Sequence, residues 1–214
     1  MIIAVDGPAA SGKGTLARRL AQRYHLAYLD TGSLYRAVAL AVMRAGAQPS
    51  DPQAALKAAR ELDLDAINDA AIRTDDVAKG ASIVAAMEPV RQAIKELQRN
   101  FATNPPPGFA GAVLDGRDIG TVICPDADAK IFVDAAVKVR ARRRYLELKS
   151  RSAGGACPSE EEVLADLMDR DARDRGRRVS PLKPAEDALL LDTSNLSIEG
   201  AFEAACDLVD QSAA

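Results

Sequence analysis

The sequence predicts an α/β protein in three layers, with helices on both faces of a parallel sheet. Two observations carry this. Short apolar runs alternate along the chain with longer stretches of helical periodicity, the pattern of strand–helix–strand units. A glycine-rich turn, GPAASGKGT at residues 7–15, joins the first apolar run directly to a helix.

From the N-terminus, MIIAVD reads as a buried strand, since no polar residue precedes Asp6. A helix continues from the glycine turn over about 13–24, and LAYLD (26–30) is a second strand running out at Asp30 and Thr31. Leu34, Val38 and Val42 share one face of a helix over about 33–44. AGAQPSDP breaks it, and Ser50 or Asp51 caps the next helix. Residues 51–103 are helical in pieces, and TNPPPG (103–108) is a stiff turn. GAVLD (111–115) and AKIFVDA (129–135) are strands, the second introduced by the turn CPDAD. VRARRRYLEL is helical, SRSAGGACPS a loop, and a helix from about Ser159 runs into DRDARDRGRR and then SPLKP. ALLLD (188–192) is the last strand. SIEGAFEAACDLVDQ is an amphipathic terminal helix with Ile198, Phe202, Ala205 and Leu208 on its packed face. No repeat or low-complexity linker divides the 214 residues, so one domain is expected.

Composition excludes several classes. Hydrophobic residues at 48% and charged residues at 28% suit a folded soluble protein. The net charge of −3 gives no general attraction to nucleic acid or membrane. No apolar run approaches the ~20 residues of a membrane span, and no basic region precedes the first short apolar run, so neither an anchor nor a signal peptide is expected. Cys124, Cys157 and Cys206 are far apart without a C-x-x-C pair, and His25 is the single histidine. Free thiols in a reducing cytoplasm are expected, not zinc or disulfides.

The turn at 7–15 carries the chemistry. It fits G-x-x-x-x-G-K-[ST] except that Gly14 stands where the hydroxyl residue belongs and Thr15 comes one place later. Glycines 7, 12 and 14 let backbone N–H groups converge on phosphate oxygens at a helix start. Lys13 bridges the outer phosphates and Thr15 is the candidate hydroxyl for Mg²⁺. Such a loop between strand and helix predicts a P-loop nucleoside triphosphate site made by Gly7, Pro8, Ala9, Ala10, Ser11, Gly12, Lys13, Gly14 and Thr15. A guanine-reading N-K-x-D is absent, so the sequence gives no support to a GTP switch. In a parallel sheet ligands lie beyond the carboxyl ends of the strands, which singles out this loop, Asp30–Gly32, Asp115–Asp118 and Asp134.

The GKGT form resembles the loop of nucleoside monophosphate kinases. LDTGSLYRA (29–37), IRTDDVAKGASIVAAMEPVRQAI (72–94), LDGRDIGTVICPDADAKIFVDA (114–135) and RDARDRGRRVSPLKPAEDALLLDTSNLSIE (170–199) together resemble bacterial cytidylate kinases, in order and spacing, over nearly the whole chain. DTGSLYR and DGRDIGT are the most specific pieces. The resemblance implies a three-layer P-loop fold, a helical acceptor-binding insert at about 37–105 and a lid at about 151–181. It implies transfer of the ATP γ-phosphoryl group to CMP or dCMP with Mg²⁺, in a cytoplasmic monomer that binds no nucleic acid or membrane.

The roles that the resemblance implies for individual residues agree with their chemistry. Arg36 and Arg117 hold the acceptor's phosphate, and Arg170 and Arg177 close over the transferring group, because guanidinium grips phosphate bidentately and stays charged. Standing alone, the Asp/Arg alternation there reads more readily as a solvated, salt-bridged helix face than as a lid. Asp118 accepts from the cytosine amino group, Arg91 donates to the ring acceptors, and Ser82 adds a hydroxyl; uracil offers the opposite polarity. Thr31 belongs to the same acceptor site, Asp174 takes the sugar hydroxyls, and Asp115 gives catalytic support. Arg142, Arg143 and Arg144 are expected on a solvated face. LDLDAINDAAIRT leaves no room for the hairpin-like addition of the familiar bacterial form, so a trimmed insert is expected. The competing readings are a kinase of this fold acting on UMP or AMP, and a nucleotide-regulated RNA-binding module using the arginine runs. Near-neutral charge and few aromatics disfavour the second.

Overall fold

The computed structural model describes residues 1–151 and 157–212. Its strands are β1 (Ile2–Asp6), β2 (Ala27–Asp30), β3 (Ala112–Gly116), β4 (Ala129–Asp134) and β5 (Leu189–Asp192). Helices are α1 (Lys13–Tyr24), α2 (Thr31–Arg44), α3 (Pro52–Arg60), α4 (Asp75–Val84), α5 (Glu88–Thr103), α6 (Val137–Arg151), α7 (Glu160–Arg175) and α8 (Ile198–Ser212). The strands form one parallel sheet in the order β2-β3-β1-β4-β5. β1 therefore lies at the centre, with Asp6 in register between Gly116 of β3 and Phe132 of β4.

Side-chain alternation sorts the core into two layers. Ile3, Val5, Val113, Ile131 and Val133 point to one face, where Leu16, Ala17 and Leu20 of α1 and Ala205 and Val209 of α8 cover them. Ala4, Leu29, Ala112 and Leu114 point to the other, under α2, α3, α4 and α5. Val90, Ile94 and Ala102 of α5 join that second core, so the 37–105 stretch is packed directly on the sheet.

Local chemistry sets the helix ends. Asp51, not Ser50, caps α3 by accepting from the Gln53 and Ala54 N–H groups, with Pro52 at the first helical position. Thr74 caps α4, and Ser159 with Glu162 forms a capping box on α7. Two expectations need correction. α2 begins at Thr31, because Asp30 accepts from Ser33 N–H and nucleates the turn earlier. Ile198 is 66% exposed; the packed stripe of α8 is Ala201, Ala205 and Val209, with Phe202 and Leu208 on its flank. Residues 119–123, to which the sequence reading gives no element, form a π-helical turn. Between α3 and α4 the described residues hold no strand, only a 3-10 turn at Ala71–Arg73. Of the predicted lid and of the loop SRSAGGACPS, residues 152–156 lie outside the described residues.

Candidate active site

The loop after β1 is held in a conformation that only its sequence permits. Gly7 has φ +151, and a Cβ there would stand 2.0 Å from the Val133 carbonyl oxygen. Gly12, at φ +90, leads into α1. Ala10 takes the left-handed region at φ +59 without being glycine, a strained choice typical of functional loops. Two distant groups brace the loop: Arg140 donates to the Ala9 carbonyl at 3.1 Å and Thr193 Oγ1 to the Ser11 carbonyl at 3.1 Å. Ser11 Oγ is buried without a hydrogen-bond partner. Lys13 opens α1, is buried, and donates to the Pro8 carbonyl at 3.3 Å.

The GKGT variant has a spatial reason. A Cβ on Gly14 would lie 3.1 Å from Asp115 Oδ2 and 3.7 Å from the Tyr28 hydroxyl. A glycine there lets the β3 carboxylate approach the loop, while Thr15, exposed one residue on, lines the cleft. Asp115 is buried; Tyr28 Oη donates to its Oδ2 at 2.6 Å and Thr31 Oγ1 to its carbonyl at 2.7 Å. A cleft of ≈790 Å³ runs from residues 10–16 past Tyr28, Asp30 and Arg36 to Arg143, Thr193, Leu196 and Ser197.

Beyond the strand ends lie the residues that the sequence reading expects to hold the acceptor. Arg91 and Asp118 form a buried ion pair, and the Arg91 guanidinium stands 5.5 Å over the Tyr35 ring. Arg91 Nε and Ser82 Oγ are buried and unpartnered; the first is open hydrogen-bonding capacity on the guanidinium paired with Asp118. Arg117 donates to Asp174 Oδ2 at 2.9 Å and to the Gly116 carbonyl at 3.2 Å. Arg177 pairs with the other oxygen of Asp174. Arg170 is half-buried, with its Nε buried and unpartnered. Arg36 donates to the Ile72 carbonyl at 3.3 Å.

These cations are poorly compensated. Burial, and then the neighbouring Arg117, pushes the Lys13 ammonium below its ordinary range. The same two causes bring Arg170 down to about 9. Burial lowers Arg36 and Arg177 as well, with Arg117 among the repelling neighbours of both. On the other side, burial and then Asp30 push the Asp115 carboxyl up, although Lys13 opposes the rise. Burial is the largest single influence on Asp174 and acts to raise it, yet Arg117, Arg177 and Arg170 together hold it below the usual carboxylate range. So many buried positive groups around one cleft favour a polyanionic ligand.

Sequence reasoning missed several participants. Asp6, Tyr28, Arg140 and Thr193 act on the site across 87 to 182 residues of chain, a distance that no local pattern spans. Tyr35, on α2, backs Arg91 in the same way. Arg143, expected in solvent, is half-buried and donates to Thr193 Oγ1 at 3.1 Å and to the Thr193 carbonyl at 2.6 Å. Arg144 also borders the cleft, bridging Asp75 and Glu147, whereas Arg142 pairs with Glu160 on the surface. Among the described residues no group of three or more His, Cys, Asp or Glu is arranged to hold a metal. None of their helices is long and apolar enough to cross a membrane.

The family model described as cytidylate kinase matches residues 3–211. The chain belongs to the cytidylate kinase family. A relative named cytidylate kinase from Rhodospirillum rubrum is 58% identical, over 98% of this chain and 97% of its own length. One of the same name from Bradyrhizobium diazoefficiens is 56% identical, over 98% and 96%. Among solved structures, an uncharacterized protein from Eubacterium ventriosum aligns with TM-score 0.55 at 13% identity, covering 98% of each chain. An unliganded sugar kinase from Janibacter sp. aligns at 0.50 and 16%, covering 98% and 94%; both likenesses concern the fold. Membership of the cytidylate kinase family makes the chain a kinase, and the switch and RNA-binding readings fall away.

Proposed function

We propose that this chain transfers the γ-phosphoryl group of ATP to CMP and dCMP, giving CDP and dCDP. The observation that carries the reading is the convergence of Lys13, Arg36, Arg117, Arg170 and Arg177 on one cleft beside a phosphate loop. Phosphoryl transfer asks for positioning and charge neutralisation more than for covalent chemistry. The acceptor brings its own nucleophilic oxygen, so a serine or cysteine nucleophile is unnecessary.

The triphosphate lies along residues 7–15, where the N–H groups of the loop and the start of α1 meet its oxygens. Its arrival returns anionic charge to Lys13 and restores a fully protonated ammonium. The CMP phosphate is gripped by Arg36 and Arg117, with Thr31 beside them. Arg170 and Arg177 span the gap between the two nucleotides, where negative charge spreads in the transition state. Asp174 holds Arg117 and Arg177 in the free protein and takes the sugar hydroxyls when CMP enters. Cytosine lies among Ser82, Arg91 and Asp118: the amino group meets the Asp118 carboxylate, and the unpartnered Arg91 Nε and Ser82 Oγ serve the ring acceptors. The adenine of ATP continues along the cleft beside Arg143, Leu196 and Ser197.

Mg²⁺ fits this donor set as a companion of ATP. A single exposed hydroxyl, Thr15, and the absence of a three-ligand cluster among the described residues match an ion that keeps its waters and binds mainly phosphate oxygens. When bound it neutralises phosphate charge. Asp115 supports that region by orienting water or a cation near the loop. We assign residues 37–105 as the acceptor insert and 151–181 as a lid that excludes water on closing, in a monomer working in the cytoplasm. A coupled assay of ATP against CMP, dCMP, UMP, AMP and GMP tests the reading. CMP and dCMP are expected to turn over best, and equal or better turnover of UMP or AMP contradicts it.

A further inference from the structure

Asp6 ends β1, one residue before the phosphate loop, yet its side chain serves the other substrate's side of the protein. It is 5% exposed, and its two carboxylate oxygens accept from Ile119 N–H and Gly120 N–H, each at 2.8 Å. Those are the first two residues of the π-helical turn, whose leading N–H groups have no partner within the turn itself. The residue just before them is Asp118. Its carbonyl accepts from Val122 and Ile123 N–H at 2.9 and 3.1 Å, so its backbone is part of the same turn. Lys130 of β4 packs against this turn: a Cβ on Gly120 would lie 3.2 Å from Lys130 Cδ and 3.5 Å from Asp6 Oδ2. The turn is thus clamped between the central strand and its neighbour.

We propose that Asp6 is a positioning residue for acceptor choice: by holding the head of the π-helical turn it fixes where the Asp118 carboxylate meets the acceptor's base. This rests on the reading of Asp118 as the group that meets cytosine. The clamp is rigid because β1 is the central strand, paired on both sides. It is also specific, because two charge-assisted bonds from adjacent N–H groups to the two oxygens of one carboxylate fix the orientation of the turn as well as its distance. Discrimination between cytosine and uracil is therefore set from a residue that touches neither nucleotide.

The test uses the full-length protein at pH 8, with Asp6→Asn, Gly120→Ala and Asp118→Asn measured in parallel. Asp6→Asn sets an amide N–H against a backbone N–H. A turn displaced by about 1 Å is expected to raise the KM for CMP about tenfold and to lower the CMP-over-UMP preference about tenfold. The kcat at saturating CMP should stay within about threefold, and the KM for ATP within about twofold, since the phosphate loop keeps its own bracing. Gly120→Ala keeps the Asp6 charge but crowds the turn, and is expected to raise the KM for CMP severalfold; if Asp6→Asn does not fold, an unchanged KM here overturns the proposal. A merely structural Asp6 would lower melting temperature and active fraction alike for both acceptors and leave both KM values and the preference in place, which also overturns it. If Asp118→Asn keeps the preference, the base-reading role fails first. If Asp118→Asn collapses the preference and Asp6→Asn does not, only the positioning role fails.

Discussion

Replacing Asp118 by Asn removes a charge and almost no volume from a pair whose side chains are 7% and 6% exposed. In the free protein the Arg91 guanidinium would exchange a charged partner for a neutral one. Hydrogen bonds to charged groups contribute about 1.5–3 kcal/mol and neutral ones about 0.5–1.5, so the fold should lose about 1–2 kcal/mol. For a chain of this size that corresponds to about 2–8 °C in Tm. Recognition changes in a different pattern. The cytosine amino group loses its charged acceptor, another ~1–2 kcal/mol, which is about 5–30-fold in kcat/KM for CMP. The amide can instead turn its NH₂ toward the 4-carbonyl of uracil, so UMP should hold or gain. The ratio of the two kcat/KM values should fall by about 10²-fold. Calorimetry gives the first number and NADH-coupled measurement of ADP release gives the second. A Tm that falls as calculated while the CMP-to-UMP ratio stays fixed would refute the reasoning, because Asp118 would then be only a counter-ion for Arg91.

Three further outcomes are expected. Gly7→Ala places a Cβ 2.0 Å from the Val133 carbonyl oxygen, so ATP binding measured by calorimetric titration should be lost even where the protein still folds. Arg140→Met leaves the Asp171 carboxylate, 4% exposed, with only the longer 3.6 Å pairing to Arg175 and removes the brace on the Ala9 carbonyl; denaturant unfolding should show a loss of about 3 kcal/mol, and Asp171→Leu in the same chain should recover part of it. Burial pushes the Asp6 carboxyl up to about 7, against the pull of the Gly120 and Ile119 N–H groups. With its folded pKa above its unfolded one, Asp6 favours the folded state at low pH and that contribution disappears as pH rises from about 4 to about 7. The stability of wild type minus that of Asp6→Asn should therefore fall across this window, by at most about 1.4 kcal/mol per pH unit, and a flat difference would contradict the assignment.

The strands, the phosphate loop and most helices are legible because each rests on local information: an apolar run, a glycine turn, a cap two or three residues from the N–H that donates to it. The same locality explains why other features are not legible. IGTVI at 119–123 has the β-branched composition of a strand or loop, and it becomes a π-helical turn because a carboxylate 113 residues earlier holds its head. Arg143 lies in a run that reads as solvated, and only the return of the chain at Thr193 makes it a cleft residue. Periodicity places Ile198 on the packed face of α8, but it is the first residue of the helix and lies exposed at the phosphate-loop cleft in place of packing in the core. The proposed acceptor residues come from four separate stretches that family resemblance unites and spacing does not. Their pairing partners, Arg91 with Asp118 and Asp174 with two arginines, emerge only from the fold.

The most direct measurement is a crystal structure with CMP and a non-hydrolysable ATP analogue. The pyrimidine should lie against Ser82, Arg91 and Asp118, and its phosphate between Arg36 and Arg117. The nearest phosphate oxygen should be in line with the γ-phosphate on residues 7–15. CMP found elsewhere, or bound with its phosphate turned away from Arg36 and Arg117, would contradict the proposed transfer.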